Sequence, residues 1–211
     1  MNADPIARAY RWIEYAAFGR ALERCRWAQL DAIAERRRIL LLGEGDGRFL
    51  KRLAGLHPRA SIDVVEKSLG MIRVAAARLS PAESSRVRFH RSDALLDPLP
   101  GGGYDMVVTH FVFDCWSPDA AAAVVRKAAH VVEPGALWLV SEFAEPRSGL
   151  ARLHAAAWLR VMYLFFRYAT GLETTRVPDY ENALAANAFV LVGDVRWRMG
   201  LVASQLWRRQ D

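Results

Sequence analysis

Gly43-Glu44-Gly45-Asp46-Gly47 places three glycines at alternate positions at the end of an apolar run. Glycine lets a backbone turn sharply and lets a ligand approach without meeting a Cβ. In an open α/β sheet, such a loop lies at the carboxyl end of the first strand, where ligands sit. The spacing is G-x-G-x-G, whereas a dinucleotide loop has G-x-G-x-x-G. Arg48 stands at the third glycine position of that pattern, which counts against NAD(P). Glu66 closes a second apolar run, roughly twenty residues after the loop. A carboxylate there can accept hydrogen bonds from both hydroxyls of a ribose, or simply face solvent. Asp93 follows a third run, in His90-Arg91-Ser92-Asp93-Ala94. Its carboxylate suits the exocyclic amine of adenine, with the Ala94 N–H on a ring nitrogen. The plainer alternative is a loop aspartate. A fourth run ends in Thr109-His110, and Asp114 follows. His110 and Asp114 are the candidate bases if a reaction must remove a proton. Asp114, three residues before Ser117, equally suits turn chemistry. Cys115 suits packing better than nucleophilic attack.

These residues need a scaffold, and the sequence supplies one. RILLL, ASIDVVEKS, RVRFHRSDA, GYDMVVTHF and ALWLVSEF read as five strands, with helical text between them. Their apolar runs are nearly continuous, as in parallel strands covered on both faces. Ser117 and Pro118 start one helix as N-cap and first helical residue. Pro134-Gly135 punctuates before the fifth strand. The first 38 residues read as helical, broken at Gly19. AFVLVGDVRW and LVASQLWRR, joined by a turn at Met199-Gly200, predict an antiparallel hairpin. The expected fold is α/β: a Rossmann-like, doubly wound, mostly parallel sheet of seven strands, the last antiparallel. The expected organisation is one domain: an N-terminal helical cap (1–38), a ligand-binding core (39–146), a helical insert (147–180), and a C-terminal helix with the hairpin (181–211).

The insert is rich in chemistry of its own. Residues 148–171 carry Arg152, Arg160 and Arg167 within a stripe of about 80° on a helical wheel. His154, Trp158, Val161, Phe165 and Tyr168 lie opposite. His154 is either a satisfied core residue or a polar group facing an apolar acceptor pocket. Trp158 and Phe165 are either core or acceptor-binding surface, and so is Tyr10 near the N-terminus. The basic stripe opposite aromatics also suits peripheral contact with an anionic membrane. The segment is too charged to span one.

The 211 residues are 53% hydrophobic and 25% charged, which excludes a disordered chain. The 26 arginines and three lysines (Lys51, Lys67, Lys127) give a net charge of +6, but the charge is scattered. No basic stripe interleaved with aromatics points to nucleic acid. Two cysteines, Cys25 and Cys115, exclude a disulfide framework, and no Cys/His spacing suggests a metal. The N-terminus lacks a secretory apolar core, so a cytoplasmic setting is expected.

GEGDG, VVEKSLGMIRVAAAR, RSDAL and YDMVVTHFVFD, in that order, resemble motifs I to IV of class I S-adenosylmethionine-dependent methyltransferases. The terminal hairpin resembles the same family. SEFAEP, the aromatic insert and AFVLVGDV are loosely similar to the ubiquinone/menaquinone C-methyltransferase branch. The resemblance implies S-adenosyl-L-methionine as cofactor, S-adenosyl-L-homocysteine as product and a small acceptor. It places Gly43, Gly45 and Gly47 along the methionine part and Glu66 on the ribose. Lys67 and Met71 would border the adenine, Asp93 and Ala94 read its edge, and Thr109 and His110 lie near the sulfonium. The insert would lie over the acceptor. One position departs: the family's acidic residue two before the first glycine is Leu41 here, leaving Glu44 to supply a carboxylate for the cofactor's amino group. That departure also keeps open an inactive methyltransferase-fold binding protein. An NAD(P)-dependent oxidoreductase fits less well. The acceptor atom (C, O or N) and the oligomeric state are not legible.

Overall fold

A computed structural model describes residues 12, 14–15, 18–33, 36–144 and 179–211. The elements, in chain order, are α1 (Ala21–Trp27), β1 (Arg38–Leu42), α2 (Arg48–Leu56), β2 (Ser61–Val65), α3 (Leu69–Ala76), α4 (Pro81–Ser84), β3 (Val87–His90), β4 (Tyr104–His110), α5 (Pro118–Ala129), β5 (Val132–Phe143), α6 (Tyr180–Ala185), β6 (Phe189–Trp197) and β7 (Val202–Arg209). Turns of 3-10 helix span Leu30–Ile33, Phe113–Cys115 and Arg198–Gly200.

The seven strands form one sheet in the order β3-β2-β1-β4-β5-β7-β6. β1 to β5 pair in parallel. β7 runs antiparallel to both β5 and β6. The expected doubly wound sheet with its terminal hairpin is therefore the observed one. The strand order reverses between β1 and β4, and in open α/β sheets ligands bind outside the carboxyl ends at such a switch point.

Side-chain alternation along the strands assigns the two faces. Ile39 and Leu41 of β1 pack with Met106 and Val108 of β4 against Phe49, Leu50 and Leu53 of α2. Leu40, Leu42 and Val107 pack with Trp138 against Ala121, Val124 and Val125 of α5 on the opposite face. Each such buried aliphatic side chain stabilises the fold by roughly 1.5–3 kcal/mol. α5 begins as expected, with the Ser117 hydroxyl accepting from Ala120 N at 3.3 Å and Pro118 in the first turn.

Two details differ from expectation. β5 starts at Val132, before Pro134-Gly135: Val132 pairs with Tyr104 and Leu137 with Met106, so residues 133–136 of β5 bulge opposite a single residue of β4 and absorb the interruption. Proline has no N–H to donate, so it is tolerated where the ladder is already irregular. α4 went unread, although Ser80 and Glu83 form a reciprocal capping box around Pro81. The helical insert, with His154, Trp158 and Phe165, lies outside the described residues, as does Tyr10. Among the described residues no helix is long and apolar enough to cross a membrane.

Candidate active site

The glycine loop leaves β1 at the switch point. Gly43 N–H bonds the Val65 carbonyl of β2 at 2.9 Å, which anchors the loop's first residue. Gly47 has φ +80°, and a Cβ there would lie 2.5 Å from Ala75 Cα of α3. This glycine is required by packing. Gly45 has φ +70°, and a Cβ there would meet nothing within 4 Å. Gly45 therefore marks the open side of the loop, where a ligand can approach the backbone.

Glu66, just past β2, accepts from Gly45 N at 3.2 Å through Oε2 and from Ser68 N at 2.8 Å through Oε1. Ser68 in turn caps α3 by accepting from Met71 N at 3.1 Å, which brings the buried Met71 beside it. Past β3, Asp93 accepts from Leu95 N at 2.9 Å and pairs with Lys67 Nζ at 2.8 Å. Burial pushes the Asp93 carboxyl up. The Lys67 ammonium and the backbone N–H groups outweigh it, holding the group below its ordinary value. Ala94 is buried in the core, and Lys127 of α5 ties the strand-to-loop corner by donating to its carbonyl at 2.9 Å. Gly45, Glu66, Lys67, Met71, Asp93 and Ala94 thus lie along the carboxyl ends of β1, β2 and β3, as the sequence order predicts.

Leu41 sits in the apolar core between sheet and α2, where no polar ligand reaches it. Glu44 supplies the nearest loop carboxylate. Its Oε1 accepts from Leu50 N at 2.8 Å and caps α2, whose N-cap Gly47 has no side chain. Its Oε2 is buried without a partner. Burial raises the Glu44 carboxyl to about 8. Leu50 N and Arg26 oppose the rise, and Asp46 and Glu66 add to it.

Thr109 and His110 part company. Consecutive strand residues point to opposite faces. The Thr109 hydroxyl is buried on the α5 side and accepts from Trp138 Nε1 at 3.0 Å. That bond gives the Thr109 hydroxyl a structural task on the face opposite His110. His110 turns to the α2 face, edge-on to Phe49 with ring centroids 4.4 Å apart. Both its ring nitrogens are buried without a partner. Burial, with Arg26 nearby, holds the imidazole well below its usual range, so it is neutral at physiological pH.

Asp114 lies buried in the turn after β4, beside a residue that sequence reasoning missed. Glu142, near the end of β5, is fully buried and accepts from Phe113 N and Phe143 N, each at 3.0 Å. Burial raises Asp114 to about 7, and burial plus the Asp114 charge raises Glu142 well above its ordinary value. The available signal for Glu142 was a lone acid ending an apolar strand, the same signal that singled out Glu66. Cys115 has its thiol pushed well up by burial and the neighbouring carboxylates, which suits packing, not attack.

A second group had no local signal. Glu14 is buried and takes Arg26 at 2.9 and 2.8 Å and Arg48 Nη2 at 2.9 Å. Arg48 Nε also donates to Asp46 at 3.0 Å, and Arg78 Nη2 pairs with the same carboxylate at 3.1 Å. Arg48 Nη1 is buried without a partner.

Residues 39–135 match a family model described as a methyltransferase domain. Over 119 residues the chain is 29% identical to the ubiquinone/menaquinone biosynthesis C-methyltransferase UbiE of Syntrophotalea carbinolica. That match covers 56% of this chain and 49% of the relative, so the chain spans about half the relative's length. A putative O-methyltransferase structure from Nostoc punctiforme superposes with TM-score 0.72 at 19% identity, over 97% of this chain and 59% of that one. The N-methyltransferase NodS of Bradyrhizobium japonicum, in complex with S-adenosyl-L-homocysteine, superposes with TM-score 0.63 at 15% identity, over 90% and 89%. At such identities the two structures share the fold.

Proposed function

We propose that the chain is a class I S-adenosylmethionine-dependent methyltransferase, a reading supported by the methyltransferase-domain match and the UbiE relative, and that it moves a methyl group from S-adenosyl-L-methionine to a small, largely apolar acceptor. One observation carries the cofactor assignment: an open glycine, Gly45, flanked by Glu66 and followed along the strand ends by Asp93. The unpartnered Glu44 Oε2 and His110 nitrogens support this reading, as polar capacity a ligand could use. NodS, a neighbour in fold, forms a complex with S-adenosyl-L-homocysteine, which supports the same cofactor here.

Glu66 would accept from the ribose hydroxyls, exchanging at least its bond to Gly45 N. Asp93 would take the adenine amine, with Lys67 giving way, and Met71 would pack near the ring. The bound cofactor supplies a sulfonium-activated methyl group, and the protein supplies orientation and exclusion of water for an in-line displacement. His110, neutral and unpartnered, would orient the acceptor or take its proton; Asp114 is the further candidate base. The apolar acceptor rests on the aromatic text of the 148–171 insert. The same insert carries the suggestion of peripheral membrane contact.

The test is transfer of label from [methyl-³H]-S-adenosylmethionine to a panel of quinols, phenols and amines. Protein-dependent label in an organic extract, reduced in His110→Ala, is the expected result. Tight cofactor binding with no transfer across the panel would favour a binding protein built on the methyltransferase fold.

A further inference from the structure

The two edges of the sheet are built differently. β3 is four residues long, carries the exposed Arg88, and is flanked by Arg86 and Arg91. Short length and charge are usual guards of a free strand edge. β6, at the opposite edge, is nine residues long and, among the described residues, pairs only with β7. It contains neither proline nor lysine. Val190, Leu191, Val192 and Val195 are 37–46% exposed, and they are four of the seven exposed large apolar side chains among the described residues. A long, apolar, unguarded edge is a template for another strand. We propose that β6 is the pairing edge of a homodimer, in which two copies join antiparallel, β6 to β6, about a two-fold axis at Val195. Such a dimer is independent of the cofactor assignment.

The charges on the strand point to a second copy as the occupant. Asp194 and Arg196 are the only charged residues of β6, and they flank Val195. Their side chains lie on one face and pair with each other at 2.9 Å. In an antiparallel pair centred on Val195, Asp194 stands opposite Arg196 of the second copy, and Arg196 stands opposite that copy's Asp194. The strand is thus its own electrostatic complement in this register. Exposed ion pairs add little energy, so these charges choose partner and register. The apolar surface supplies the driving force. On the other face Val195 meets Val195, a β-branched cross-strand pair. A bulge between Leu191 and Gly193 interrupts regular pairing at Val192. The regular ladder is therefore left to Gly193–Trp197, the five positions that this register pairs with themselves. Val190, Leu191 and Val192 continue alongside the Arg198–Gly200 turn of the second copy, which removes their surface from water. A two-fold axis closes the assembly. The guarded β3 edges then end the joined sheet on both sides, so growth stops at two copies.

The test is sedimentation equilibrium of the full chain at micromolar concentrations, with circular dichroism to verify that each variant is folded. The wild type should reach twice the 23.7 kDa mass of the chain. Val195→Lys sets two ammonium groups against each other at the axis and should raise the dimer Kd at least about tenfold. Asp194→Arg and Arg196→Asp each place like charges opposite one another, twice per dimer, and should each weaken self-association about tenfold. Mixed in equal amounts, these two charge variants should associate as the wild type does, because every opposed pair is again complementary. The mixing arm needs no variant at the axis, so it decides the matter even if Val195→Lys fails to fold. A wild type that stays monomeric would overturn the dimer; protection of its β6 amides from hydrogen exchange would then assign the strand's cover to its own chain. A dimer indifferent to all the substitutions would also overturn it, placing the contact elsewhere. Charge variants that associate no better mixed than alone would overturn the register, and the proposal with it.

Discussion

Alanine at Gly47 and alanine at Gly45 should do different damage, although both glycines have positive φ. At Gly47 the new Cβ would lie 2.5 Å from Ala75 Cα and 2.6 Å from Ala75 Cβ, where α3 packs against the loop. The left-handed backbone costs an alanine ~1–2 kcal/mol. Forcing a methyl into packed backbone adds ~1–3 kcal/mol. Gly47→Ala should therefore lose about 2–5 kcal/mol, a large part of the ~5–15 kcal/mol typical of a domain. At Gly45 only the backbone cost applies, ~1–2 kcal/mol, because nothing lies within 4 Å of the added methyl. That methyl would occupy the space the ligand needs. Urea unfolding followed by circular dichroism measures the stabilities, and titration with S-adenosylhomocysteine measures binding. Gly45→Ala should fold with a modest loss and bind at least about tenfold more weakly, a loss of ~1.4 kcal/mol or more. Equal stability losses in the two variants would refute the packing argument. Wild-type affinity in Gly45→Ala would refute the assignment of the open side.

Thr109→Val should leave Trp138 Nε1 buried without an acceptor and cost ~1–3 kcal/mol in urea unfolding, while leaving S-adenosylhomocysteine affinity unchanged. A loss of affinity without a loss of stability would return Thr109 to the site. The buried carboxyls also predict a pH trend in the free protein. Glu44 keeps its proton to about pH 8 when folded but loses it near 4.3 when unfolded. The folded state therefore holds more protons in between, and this group's contribution to stability falls as pH rises. Glu142, whose carboxyl burial also raises, acts in the same direction, and Asp114 does so up to about pH 7. His110, held neutral, acts oppositely, but only below about pH 6.5. The Tm should thus fall from pH 7 to 8, less steeply in Glu44→Gln; a Tm flat or rising across that window in the wild type would contradict the burial of these carboxyls.

The cofactor half of the site was legible because its signals are local. β1 and β2 are short apolar runs, Glu66 follows β2 directly and Asp93 comes three residues past β3, so both acids are marked by their place after a strand. Glycine at 43, 45 and 47 announced the turn, although the sequence did not say that Gly47 answers to α3 and Gly45 to open space. Two polar residues end β4, and only the packing of Trp138 shows that Thr109 is the one turned to the α5 face. Glu142 of β5 feels the charge of Asp114 in the turn after β4, and Arg48 reaches Glu14 34 residues away. Such pairings depend on topology, which local pattern does not encode. Glu44's role as cap for Leu50 follows from the absence of a side chain at Gly47, a compensation visible only once the helix start is known.

The central claim is that the β1–β2–β3 strand ends bind S-adenosylmethionine. Calorimetric titration of the wild type and Glu66→Ala with S-adenosylhomocysteine, NAD and NADP tests it most directly. The account predicts micromolar binding of S-adenosylhomocysteine alone, weakened in Glu66→Ala by ~1–3 kcal/mol. Binding of NAD or NADP, or no binding of S-adenosylhomocysteine, would contradict it.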